Sequence, residues 1–241
     1  MTDVWIIDFN CLPFRESGFE GLLSREEKTR ADRFLNSLKK KRFVLARVTM
    51  RSILSQYLCI LAKDVVFGYG KHGKPEIKNA SRSLNFNLSH SRNIAVLAIS
   101  TTHRVGVDIE VMDKSLGRID RIVDYLCSPE ERDYYFALPI TERPLFVYSL
   151  WTANEAFLKG LGSGVQSFAS EVFYKFDSAR EPSLSLKNED FSSTWRFKRF
   201  TPVPNSVATL AIESDEDGTD LSFFNTQVSA SAELFPLAKV E

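Results

Sequence analysis

The hexapeptide Val105-Gly106-Val107-Asp108-Ile109-Glu110 constrains this chain more than any other stretch. Its alternation specifies a strand of period 2. Val105, Val107 and Ile109 then face a core, while Gly106, Asp108 and Glu110 share the opposite face. Two carboxylates point the same way. At ~5 Å and an effective dielectric near ~20, their repulsion amounts to about 3 kcal/mol, relieved by protonation, by splaying into water, or by a bound cation. Taken alone, Asp-x-Glu at a strand end also describes an ordinary solvated edge, so neighbouring segments must decide.

Upstream, Ser24 and Glu27 have capping-box spacing and open a charged helix expected to reach about Leu38. A second helix is predicted from about Lys41 to Leu61, where Phe43, Val44, Val48, Ile53, Leu54 and Leu58 recur at helical intervals without Gly or Pro. Short strands are predicted at Ser83 to Leu88, Ile94 to Ser100 and Val105 to Ile109, separated by HSRN and TTHR turns. Ser128, Pro129 and Glu131 supply an N-cap, an N1 proline and a capping-box acid for a helix ending near Leu138. Another helix runs from about Glu142 to Lys159 and stops at Gly160 or Gly162. Beyond it, VFYKF, TWRFKRF, VATLAI and LSFF suggest a second set of antiparallel strands. Each half thus offers helices and a few antiparallel strands, which indicates an α+β fold of two small lobes, 1–104 and 105–241.

The 241 residues are enough for one large domain or two small ones. Lys plus Arg and Asp plus Glu number 31 each, so bulk positive potential for nucleic acid is absent. A local surplus exists: between Ser24 and Arg51 ten basic residues stand against three acidic ones. Cys11, Cys59 and Cys127 are odd in number and form no CxxC, as expected of reduced thiols in a cytosolic protein. Neither a signal segment nor a run of ~20 apolar residues is present, so secretion and membrane insertion are not expected.

Three further segments carry chemistry. In Trp151-Thr152-Ala153-Asn154-Glu155-Ala156-Phe157-Leu158-Lys159-Gly160, Glu155 and Lys159 lie on one helix face, either as an exposed ion pair or as groups aimed at a phosphate, with Gly160, Gly162 and Gly164 following. Gly68 to Pro75 nearly matches a phosphate-binding P-loop, but Pro75 stands where Ser or Thr must hold Mg²⁺ and no helix follows. That excludes a P-loop NTPase, though Lys74 could still present its charge to a phosphate. Phe86-Asn87-Leu88-Ser89-His90-Ser91 sets serine beside histidine; adjacent side chains on an extended strand diverge, so His90 is a phosphate donor or a turn residue, not half of a hydrolytic pair. His72 and His103 lack metal-ligand spacing, and the acidic segment 214–220 lacks the full ligand pattern of a calcium loop.

In order and wording these segments resemble the Sfp-type 4′-phosphopantetheinyl transferases: a GKP turn at Gly73-Lys74-Pro75, an FN-[IL]-SHS strand at Phe86 to Ser91, a [IV]-G-[IV]-D-[IVL]-E strand at Val105 to Glu110, and a W-x-x-K-E-[SA]-x-x-K helix at Trp151 to Lys159. The resemblance covers about 90 central residues. It implies two pseudo-symmetric α+β lobes with coenzyme A and Mg²⁺, or Mn²⁺, in the cleft between them. It also implies transfer of 4′-phosphopantetheine from coenzyme A to a serine of an apo acyl, peptidyl or aryl carrier protein, releasing adenosine 3′,5′-bisphosphate.

By the same resemblance Asp108, Glu110 and Glu155 are the metal ligands and Lys159 sits at the pyrophosphate. Arg42, Lys74, Pro75, Ser89 and His90 hold coenzyme A, with Arg30 and Arg47 as further contributors. The base is Glu155, Glu130 or water. Asn154 departs from the pattern, which has lysine before the helix glutamate, and puts any role of that charge in doubt. The resemblance implies a cytoplasmic monomer acting without nucleic acid or membrane. A second reading is a non-catalytic carrier-protein or nucleotide-binding adaptor that keeps the cleft without turnover.

Overall fold

A computed structural model describes residues 1–12, 19, 21–79, 84–112, 116–162, 171–176, 183–187, 194–214, 220–228 and 234–240. The chain opens with β1 (Thr2–Asp8), then helices α1 (Arg25–Asp32) and α2 (Ser37–Leu58). A small hairpin, β2 (Phe67–Tyr69) with β3 (Pro75–Ile77), precedes β4 (Asn85–Ser91), β5 (Ile94–Ser100) and β6 (Val105–Val111). Three helices follow: α3 (Leu116–Leu126), α4 (Pro129–Ala137) and α5 (Arg143–Leu161). The remainder is strand: β7 (Val172–Lys175), β8 (Ser183–Leu186), β9 (Trp195–Phe200), β10 (Ser206–Glu213), β11 (Leu221–Val228) and β12 (Leu234–Val240).

The α+β class holds, and the layers follow from strand alternation. The first sheet has the order β12-β11-β1-β5-β4 and the second the order β6-β10-β9. Along β5, Ala95, Leu97 and Ile99 pack with Trp5 and Ile7 against Leu45, Met50 and Leu54 of α2. The alternate residues Ile94, Val96 and Ala98 pack against Val105, Val107 and Ile109 of β6 and Leu210 of β10. A strand buried on both faces has to read as a continuous apolar run, and IAVLAIS does. The other face of the second sheet meets α5, where Ala153, Ala156 and Phe157 contact Trp195 and Ala211. The order through the molecule is helix, sheet, sheet, helix.

Helix boundaries move from the sequence expectation. The first helix ends at Asp32 rather than Leu38, because Asn36 caps a new helix at Ser37 by accepting from the Lys39 N–H. That helix is α2, which starts four residues before the expected Lys41 and ends at Leu58, with Cys59 left-handed at its C-cap. The second correction is topological. LSFF does not join a second antiparallel set: β11 returns to the first sheet and runs parallel to β1, Thr2 opposite Leu221. Sheet membership changes near Arg104 but reverts at residue 221. The acidic segment 215–219 and Gly164 lie outside the described residues.

The caps read from sequence are present. Both capping boxes form, at Ser24 with Glu27 and at Ser128 with Glu131, and α5 ends at a left-handed Gly162. Pro75 opens a strand, not a helix, in keeping with the exclusion of a P-loop. Cys11, Cys59 and Cys127 are free thiols.

Candidate active site at the seam between the sheets

Strands β4 and β6 run side by side but belong to different sheets, with no ladder of backbone hydrogen bonds between them. Side chains bridge the seam instead. Asn87 accepts from the Val107 N–H at 2.9 Å, Ser89 donates to Asp108 at 2.7 Å, and Ser91 donates to Glu110 at 2.7 Å while accepting from the Val111 N–H at 3.0 Å. Period 2 puts these three polar residues on one face of β4, against the acidic face of β6. His90, between the two serines, is exposed.

Helix α5 closes the site because β6 lets it approach. A Cβ on Gly106 would lie 2.0 Å from the Ala156 carbonyl and 2.4 Å from the Gly160 nitrogen, so only glycine permits this contact. Gly160 is likewise pressed by the Trp195 ring, 2.6 Å from where its Cβ would stand. This packing lays Glu155 and Lys159 over the strand carboxylates. The Lys159 ammonium is 2.5 Å from Asp108 Oδ1 and donates to Ser89 Oγ at 3.1 Å. Lysine therefore pairs across the seam with Asp108, and the simple surface pair with Glu155 on its own helix is not what forms.

Asp108, Glu110, Glu155 and Lys159 line one cavity of about 490 Å³, together with Pro75, Ser89 and His90. Burial raises the Glu155 pKa, Asp108 and Glu110 raise it further, and Lys159 opposes them. Asp108 is 4% exposed, and its Oδ2 has no hydrogen-bond partner. An orphaned carboxylate oxygen on a residue that shares its cavity with two further carboxylates is the donor chemistry of a hard divalent cation. The residues fit such an ion by charge and ligand type. The expected convergence of three acids is not closed, however: among the described residues no three His, Cys, Asp or Glu side chains form a metal-binding cluster. The Lys159 ammonium supplies the positive charge at Asp108.

Lys74 reaches the same region from the β2–β3 hairpin. It donates to the Gly160 carbonyl at 2.8 Å and the Val105 carbonyl at 3.3 Å, and lines an adjoining cavity of about 220 Å³ with Glu155 and Lys159. Burial, with Arg104 adding repulsion, pulls its pKa down to about 8.

The arginines differ in where they stand relative to the cavity. Arg42 donates to Asn93 at 2.8 Å and is not among the residues lining the cavity, whereas Arg30 and Arg47 are. The reason is helical phase: Phe43, Ala46, Arg47 and Met50 share the inward face of α2, and Arg42 lies a step of ~100° off it. Glu130 is exposed on α4 and is not among the residues lining this cavity, whereas Glu155 is.

Asn154 faces away from this chemistry. It is 6% exposed, and its amide donates to the Leu150 and Val172 carbonyls and accepts from the Glu171 and Val172 N–H groups. Three of these bonds fasten the start of β7 to α5, and the fourth, to Leu150, stays within the helix. The roles of Asn87, Ser91 and Asn154 are those the sequence did not assign; polar residues at every second position of β4 are the signal for the first two.

Fold and site define a two-sheet α+β protein whose seam sets one lysine among three carboxylates, a donor set suited to phosphoryl-type group transfer. Comparison with known proteins narrows the class. Residues 104–212 match the 4′-phosphopantetheinyl transferase superfamily, and residues 17–102 match the 4′-phosphopantetheinyl transferase N-terminal family. The 4′-phosphopantetheinyl transferase HetI of Nostoc is 30% identical over 192 residues, 79% of this chain and 78% of its own length. Sfp of Bacillus subtilis is 28% identical over 208 residues, 85% of this chain and 90% of Sfp. A Synechocystis relative named for the same activity is 34% identical over 156 residues, 64% of this chain and 63% of its own length, so the match spans just under two thirds of that relative. The chain belongs to the Sfp-type 4′-phosphopantetheinyl transferase family.

Proposed function

We propose that this chain transfers 4′-phosphopantetheine from coenzyme A to a serine of an apo carrier protein. The observation that carries the reading is the gathering of Asp108, Glu110, Glu155 and Lys159 on one cavity beside Pro75, Ser89 and His90. In the reaction the carrier serine oxygen bonds to the β-phosphorus of coenzyme A. The bond from that phosphorus to the bridging oxygen breaks, and adenosine 3′,5′-bisphosphate leaves. The serine proton passes to Glu155, whose raised pKa suits a base, or to water.

Lys159 faces the same cavity and would stabilise charge on the pyrophosphate oxygens as the bond breaks. Lys74, Pro75 and His90, with Arg30 and Arg47, would hold the nucleotide end. Asp108, Glu110 and Glu155 would hold Mg²⁺ or Mn²⁺, which supplies Lewis-acid neutralisation of the diphosphate when bound. The proposed cleft would follow the seam between β4 and β6, close to the division expected near Arg104. Among the described residues no helix is long and apolar enough to cross a membrane, and the proposed partners are coenzyme A and the carrier, met by a cytoplasmic monomer. The four bonds of the Asn154 side chain account for its departure from the family pattern by a structural role, which lends no support to an adaptor without turnover.

The test incubates protein, apo carrier, coenzyme A and Mg²⁺ and weighs the carrier by mass spectrometry. The expected product is a phosphopantetheine adduct that EDTA prevents. Asp108→Ala and Lys159→Ala are expected to lose most turnover while remaining folded, and full adduct formation by either would remove that residue from the mechanism.

A further inference from the structure

The Ser91 hydroxyl, which the proposed reaction leaves unassigned, is held from two sides. A serine hydroxyl carries one proton. The Val111 N–H donates into Ser91 Oγ at 3.0 Å, and Ser91 Oγ donates at 2.7 Å to Glu110 Oε2. With an N–H directed at its lone pair, the hydroxyl points its proton at the carboxylate. Ser89 repeats the arrangement two residues earlier, accepting from Lys159 and donating to Asp108.

The two carboxylates are not equally held. Asp108 is buried, on a short side chain, and paired to Lys159; Glu110 is half-buried, on a longer side chain with one more rotatable bond. Glu110 therefore gains more from a neighbour that fixes one oxygen. Because β4 and β6 share no backbone ladder, that neighbour is also one of the three β4 side chains that bridge to β6.

We propose that Ser91 is a positioning residue that orients Glu110 toward the divalent cation of the transfer reaction, an inference that rests on the transferase reading. A partner hydrogen-bonded to a ligating carboxylate typically changes metal affinity 10- to 100-fold. The experiment titrates Mn²⁺ into the protein, alone and with coenzyme A, and follows free Mn²⁺ by electron paramagnetic resonance. Ser91→Ala is expected to weaken binding about tenfold, and Ser91→Thr, which restores the hydroxyl, to recover it. In a Glu110→Ala background Ser91→Ala is expected to cause no further loss, since Ser91 acts through Glu110.

Unchanged affinity in Ser91→Ala, failure of Ser91→Thr to recover it, an equal further loss in the Glu110→Ala background, or a parent chain that binds no Mn²⁺ would each overturn the inference. Should Ser91→Ala not fold, Ser91→Cys, similar in size and a weak donor, takes its place in the same comparison. A parent that binds Mn²⁺ but makes no holo-carrier defeats the transferase reading instead. The two failures are thereby told apart.

Discussion

Lys74 spends its ammonium on two carbonyls at the end of α5 and the start of β6, and burial brings its pKa to about 8 against the ordinary 10.5. Between those values the unfolded chain binds more protons than the folded one, so this group makes stability rise with pH across that window. Below about 8 it is charged in both states and the folded protein carries the whole desolvation penalty. For function the direction reverses, because only the charged form attracts a phosphate. The KM for coenzyme A is expected to climb as pH passes through about 8, and Lys74→Ala to raise KM at neutral pH and flatten that climb, as steady-state assays would measure. Asn154 supports a second prediction. Lysine there cannot accept from the Glu171 and Val172 N–H groups. Asn154→Lys is therefore expected to destabilise by about 1–3 kcal/mol through unpaired buried donors and to give no gain in turnover, checked by denaturant titration and adduct mass. Sequence marked this position as a missing charge; only the contact with β7 showed that its side chain points elsewhere.

At the scale of elements, the site depends on one helix lying against one strand. Gly106 and Gly160 make that contact, and the Thr152 and Thr209 hydroxyls, 2.8 Å apart, continue it between α5 and β10. Gly106→Ala forces a methyl into the Ala156 carbonyl, backbone that cannot swing aside. A loss of about 3 kcal/mol is expected, with α5 displaced and turnover reduced; thermal unfolding and the carrier assay would show both. The alternation of V-G-V-D-I-E made the strand and its acidic face legible, and the capping boxes at Ser24 and Ser128 made two helix starts legible, because these are short-range patterns. The partner of the acidic face was not legible. Asn87, Ser89 and Ser91 bond across a seam between sheets, and nothing in a local pattern states which strand lies alongside.

In the whole molecule, the apolar cluster between the sheets joins Val4, Val96 and Ala98 of the first to Val107, Ile109 and Leu210 of the second. Phe224 of β11 stacks on Trp5 at 4.8 Å, so a late strand covers the beginning of the chain. One buried cluster is thus shared by the two halves. Denaturant unfolding is accordingly expected to give a single transition, coincident by far-UV and near-UV circular dichroism, and two separated transitions would count against this packing. Periodicity, caps and residue types determined the strands, the helices and the set of chemical groups, because those depend on neighbours within a few positions. The return of β11 to the first sheet, the pairing of Lys159 with Asp108, the retreat of Arg42 and the turning away of Asn154 were decided by tertiary packing, since each depends on residues brought together from distant parts of the chain.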